Sequence, residues 1–188
     1  MPMVPANAVN RGLTWTDFPH KNRPPPPPGA TATAASTQVN LSDTGGNIVR
    51  DPASKRFKLD VEPTVRIDFS PASWVADYVF QWPQAEQDAL LDHEQIHYMI
   101  AALCGRDLFN ALQAVSQSDY PNPKALAAAV ADARKLRTNQ DIQDKYDADT
   151  KHQPTKNAAK QAVWATAVRG ALKFNQPLRD QLRTAALI

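Results

Sequence analysis

The segment LLDHEQIHYMI, Leu90 to Ile100, holds two of the chain's four histidines and one of its three glutamates. His93 and His97 are four residues apart. On an α-helix that spacing turns the second side chain about 400° from the first and raises it about 6 Å along the axis, so both imidazoles leave one face and can converge on one cation. Glu94 lies about 100° round from His93 and would stand beside such a cation rather than on it. This is the H-E-x-x-H pattern of metal-assisted hydrolysis: two histidines hold zinc and the carboxylate takes a proton from zinc-bound water. With this composition the pattern arises by chance in roughly one chain in a thousand. The ordinary alternative is a solvated polar stripe on a helix.

A catalytic zinc usually has three protein ligands and one open position. A metzincin-type extension would need glycine at position 100 and histidine at 103, where the chain has Ile100 and Leu103. A thermolysin-type site would need a later glutamate, and none follows Glu94. The remaining donors are a histidine or an aspartate downstream, and the only histidine after His97 is His152, in KYDADTKHQPT. His152 is the first expectation for the third ligand and Asp147 the alternative. Asp147 or Asp149 would otherwise orient a ligand imidazole from behind. Tyr146 is a candidate donor to the oxyanion of a peptide-bond intermediate, with an ordinary buried tyrosine as the competing reading.

Those residues need elements to position them. The chain changes character near residue 82, which predicts an α+β fold in one domain over residues 1–188: a β-rich half over 1–81 and a helical half over 82–188 that carries the metal site. In the first half Leu13 to Phe18 reads as a short strand or anchoring segment. Pro24 to Pro28 is a stiff, extended surface loop, or a ligand for a proline-binding module. Thr37 to Leu41, Arg56 to Val61 and Thr64 to Phe69 alternate apolar and polar residues, as in an antiparallel meander packed on helices. In the second half the spacing predicts a helix from Trp82-Pro83-Gln84 to about residue 114. A second should run from Asn122-Pro123 through Leu126, Val130, Leu136 and Ile142 toward Tyr146, and a third over 156–173. Short connections favour antiparallel packing, so the end of the second helix should return His152, Asp147 and Asp149 to the histidine pair.

Composition narrows the classes. Lys and Arg number 21 against 19 Asp and Glu, a net charge of +2 that gives no field of the kind nucleic-acid or anionic membrane binding needs. Cys104 is the only cysteine, so no intrachain disulfide forms and zinc sites built on several cysteines are excluded. The amino terminus shows neither a signal-peptide pattern nor a membrane-spanning run, so the chain reads as soluble, without membrane insertion and with its compartment open.

LLDHEQIHYMIAAL, YDADTKH and KQAVW together resemble the bacterial domain of unknown function 922 family, described as zinc-dependent proteases. Members carry a tryptophan-containing start, a Ser-Trp-Val element, H-E-Q-G-H-F-D-I and Y-D-x-x-T-x-H-G. Here the matching pieces are Leu13 to Phe18, Ser73-Trp74-Val75, His93 to Ile100 and Tyr146 to His152, in the same order over most of the chain. The resemblance implies a zincin-like fold with the H-E-x-x-H helix central, metal ligation by His93, His97 and His152, and general-base action by Glu94. It points to a bacterial source and is compatible with export. Ile96, Met99 and Gln153 depart from the family's glycine, aspartate and glycine, and loss of that aspartate removes a hydrogen bond behind the ligands. The resulting expectation is a zinc (Zn2+) metallopeptidase acting on a peptide or protein. The alternative is a non-catalytic zinc-binding or protein-interaction module.

Overall fold

The computed structural model describes residues 5–27, 33–151 and 157–188. It is a mixed α+β structure in which all seven described strands precede residue 77 and the long helices follow it. The strands are β1 (His20–Lys21), β2 (Ala35–Ser36), β3 (Val39–Thr44), β4 (Ile48–Arg50), β5 (Phe57–Leu59), β6 (Thr64–Phe69) and β7 (Trp74–Ala76). The helices are α1 (Pro5–Val9), α2 (Gln84–Ser116), α3 (Pro123–Arg134), α4 (Gln140–Thr150), α5 (Ala158–Lys173) and α6 (Leu178–Thr184). No helix among the described residues is long and apolar enough to cross a membrane.

The expected three-stranded meander is not what forms. β3 pairs antiparallel with β6, matching Leu41 to Ile67 and Asp43 to Val65, while β5 pairs with β4 in a separate hairpin. A third sheet has the order β1-β7-β2, with β1 parallel and β2 antiparallel to β7. β6 keeps the predicted alternation, with Val65 and Ile67 buried and Arg66 exposed. β4 escaped the sequence reading because three residues are too few to show a period.

α2 organises the rest. Pro83 precedes its first turn and Glu86 lies within it, as a helix start favours. Every residue from Ile96 to Arg106 is buried, so this stretch has neighbours on all sides and not a single apolar stripe. β6 and β3 cover one side, α5 and α6 another, and α3, α4 and α1 close the remainder. Gln95 ties down the amino-terminal segment: its Oε1 accepts the Leu13 amide at 2.6 Å and its Nε2 donates to the Arg11 carbonyl at 3.1 Å. Leu13 to Phe18 is therefore an anchoring segment with a 3-10 turn over Trp15–Asp17, not a strand. Arg106 fastens the carboxy-terminal elements, donating to the carbonyls of Ala171 and Gln176 and to Asp107.

The second helix expected to run on toward Tyr146 is two. α3 passes into a 3-10 turn over Lys135–Arg137, the chain becomes extended at Thr138, and α4 restarts after Asn139. Thr and Asn favour such breaks because their side chains compete with the helical backbone. Arg179 clamps this one, donating to the Thr138 carbonyl at 3.1 Å and to both Asp141 oxygens.

Gly105 sits where α2 crosses the sheet, and a Cβ there would lie 2.8 Å from both Cγ1 and Cδ1 of Ile67. Ile67 is itself buried, so it has no room to retreat. Gly105→Ala therefore lowers unfolding free energy by about 1–3 kcal/mol through overpacking, despite alanine's better helix propensity. Urea denaturation of the two proteins measures the difference.

Candidate metal centre

α2 carries His93 and His97 inward on one face, one fully buried and the other nearly so. Their Nε2 atoms are 3.1 Å apart. The break before α4 lets that helix fold back over α2, so that Asp147 Oδ1 lies 2.8 Å from His97 Nε2 and 3.4 Å from His93 Nε2. Around a tetrahedral ion with bonds of about 2.0–2.1 Å, neighbouring donors are separated by about 3.3 Å. The three observed separations bracket that value, and these atoms form a cluster that could hold a metal ion.

Two glutamines meet the Nδ1 atoms. Gln143 donates from Nε2 to the His97 carbonyl at 3.0 Å, which leaves its Oε1 facing His97 Nδ1 at 2.5 Å. That oxygen can only accept, so the His97 proton is on Nδ1 and the Nε2 lone pair faces inward. Gln161 Oε1 accepts the Tyr146 hydroxyl at 2.6 Å and lies 3.2 Å from His93 Nδ1. With both rings neutral and unprotonated at Nε2, two ring lone pairs and a carboxylate oxygen face one another. This is a set of acceptors that one divalent cation satisfies. Burial opposes a charged His97, but the bond to Asp147, the charges of Glu94 and Asp147, and Gln143 outweigh it and raise the imidazole's pKa above the ordinary 6.5.

Glu94 is buried beside the pair, and its Oε2 has no hydrogen-bond partner. It forms part of the wall of a cleft of about 470 Å³, together with His97, Asp147 and Gln143 on the helical side and Ala35 to Asn40 on the strand side. That strand wall is fixed from behind by Ser73, whose hydroxyl accepts the Gln38 amide at 2.9 Å. Trp74 follows it in β7, and the cations of Lys21 and Arg23 lie over its ring.

The other expected residues are placed differently. Tyr146 is fully buried behind the histidines, stacked on His93 at 4.7 Å with its hydroxyl given to Gln161. It is not among the residues lining the cleft, and its ring packs against both imidazoles from behind. Asp149 points away from the pair: it binds Lys145 at 2.6 and 2.7 Å and accepts the Trp164 indole N–H at 3.0 Å. His152 lies outside the described residues, as does Pro28 of the proline run.

Comparison of the chain with protein-family models, with curated proteins and with solved structures finds no match. The assignment of this centre accordingly rests on its own residues.

Gln143 and Gln161 were missed from the sequence, although a signal for the first exists. Gln143 and Asp147 are four apart on α4, the same spacing that places His93 and His97 on one face of α2. Gln161 has no comparable signal, because its meeting with His93 depends on how α5 packs on α2.

Tyr146→Phe removes the hydroxyl from Gln161 Oε1 and lowers stability by about 1 kcal/mol. Thermal unfolding of the variant measures this, and an unchanged melting temperature would argue against the supporting role.

Proposed function

We propose that the chain is a zinc-dependent peptidase, with His93 Nε2, His97 Nε2 and Asp147 Oδ1 as protein ligands and Glu94 as the general base. The single observation that carries this reading is the convergence of two imidazole Nε2 atoms and a carboxylate oxygen beside a buried glutamate whose Oε2 has no hydrogen-bond partner, at a cleft. His152 keeps its sequence-derived candidacy as a further ligand. The motif resemblance to the domain of unknown function 922 family agrees with this reading but does not carry it.

Zinc, when bound, supplies a Lewis acid that polarises the scissile carbonyl and makes a coordinated water more acidic. The chain's own residues do the rest. Glu94 takes the proton of the attacking water at Oε2 and passes it to the departing amine, so one carboxylate serves as base and then as acid. Gln143 and Gln161 keep both imidazoles turned with Nε2 inward, and Tyr146 holds the His93 ring by stacking.

The strand wall suits an extended peptide. β2 is an outer strand of its sheet and β3 pairs only with β6, which leaves one edge of each unpaired among the described residues. The Ala34 carbonyl accepts from Ala76 and the Gln38 carbonyl from Ser70. Alternate residues, Ala35 and Val39 among them, therefore turn their main-chain groups to the open edge, where a substrate strand can add to them.

Three measurements test this proposal. Glu94→Gln should retain about one zinc per chain while peptide hydrolysis falls by at least about a thousandfold, read by metal analysis beside cleavage of a peptide mixture. If zinc binds and raises the melting temperature, yet the wild type cleaves no peptide, the site is a non-catalytic zinc-binding module.

Asp147→Ala should weaken zinc binding by about a hundredfold in competition with a chromophoric chelator. An equal loss in His152→Ala would make His152 a ligand as well.

The pH dependence has a definite sign. A proton on His97 competes for the lone pair that would bind metal, so zinc affinity falls as pH drops through the raised pKa. In the metal-free protein that proton stabilises the fold. Its contribution is complete below the ordinary 6.5 and is lost as pH rises through the raised value. Melting curves with and without zinc across this range should therefore diverge increasingly toward alkaline pH.

A further inference from the structure

The walls of the cleft specify more than an extended backbone. We infer that the peptidase selects peptides whose side chains flanking the scissile bond are polar and uncharged, of the serine, threonine, asparagine and glutamine kind. This rests on the peptidase reading above and concerns the same site.

Three observations carry it. Beyond the metal centre, the described lining is made almost wholly of hydroxyls and carboxamides: Ser36, Thr37, Gln38 and Asn40 on the strand wall, with Asn139 and Gln140 opposite. The apolar side chains in that lining are those of Ala35, Val39 and Ala101, too few and too small to form a pocket for leucine or phenylalanine. Gln38 and Asn40 of the strand wall are exposed, so their carboxamides are free to meet a bound chain.

A lining hydroxyl or carboxamide that a bound side chain cuts off from water needs a new hydrogen-bond partner. A substrate amide or hydroxyl supplies one; an aliphatic side chain does not, and leaves the cleft's own polar atoms unpaired. Sites of this construction reject the apolar analogue more strongly than apolar sites reject a polar one.

Charge points the same way. No Lys or Arg is among the described residues lining the cleft, so nothing there answers an acidic side chain. The two carboxylates that line it, Glu94 and Asp147, are balanced by a divalent ion when one is bound and leave no surplus to attract a basic one. Neutral polar side chains are what remains.

The test uses the full chain loaded with zinc. Two fluorescent peptides of equal length are compared, one with Ser, Gln, Thr and Asn around its centre and the other with Leu, Phe and Val there. Binding is measured by anisotropy to the Glu94→Gln protein, and cleavage by mass spectrometry with the wild type. The polar peptide should bind about tenfold tighter or better and be cleaved preferentially. Asn139→Leu with Gln140→Leu should shift preference toward the apolar peptide. Equal or better binding of the apolar peptide overturns the inference and leaves the peptidase reading intact. Neither peptide bound nor cleaved, with zinc still present, overturns both.

Discussion

Two imidazoles and two carboxylates share one largely buried corner of this protein, and the need to satisfy them together is the constraint around which the rest is arranged. A carboxylate removed from water loses several kcal/mol of solvation unless a counter-charge or hydrogen bonds replace it. Here Asp147 Oδ1 lies 2.8 and 3.4 Å from the two Nε2 atoms, and Glu94 Oε2 has no hydrogen-bond partner. A divalent cation with two neutral histidines and two carboxylates sums to zero charge. A proton, drawn to His97 by the same carboxylates, is the weaker substitute.

Holding acceptors against one another takes a rigid frame, and α2 is that frame. It is enclosed over its middle by sheet and helices, with Gly105 permitting the closest approach of the sheet and Arg106 fastening the carboxy-terminal helices. His93 stands one turn before this enclosed stretch and His97 within it, so both inherit its immobility. Their rings are braced from behind by Tyr146, which in turn packs against Trp164 of α5. Most of the large buried side chains near the centre therefore bear on ring orientation as well as on stability. The accessible side of the centre, by contrast, is polar and built from a strand edge and the start of α4.

The motif, the extent of α2, β6 and the switch from strands to helices were legible because each is a local pattern. H-E-x-x-H needs only a helix to put its residues on one face, and Thr64 to Phe69 alternates over its whole length. The break at Thr138 was hidden because the apolar spacing of Leu126, Val130, Leu136 and Ile142 runs on through it as though the helix were continuous. The pairing of β3 with β6, past the β4-β5 hairpin, was hidden because strand order is a choice among edges and not a property of any one strand.

The sequence by itself determined the donors: two histidines and a glutamate at helical spacing, no cysteine set, and a short list of downstream residues able to complete a site. Only the tertiary structure decided which of those meet. Asp147 and Asp149 are two residues apart and chemically alike, yet on α4 they point about 200° apart. One therefore faces the histidines while the other binds Lys145 and Trp164. The same packing turned Tyr146 inward and brought Gln143 and Gln161 to the two Nδ1 atoms. Hydrogen-bond direction depends on where whole helices cross, and that is set by the sum of core contacts, which no short window of sequence contains.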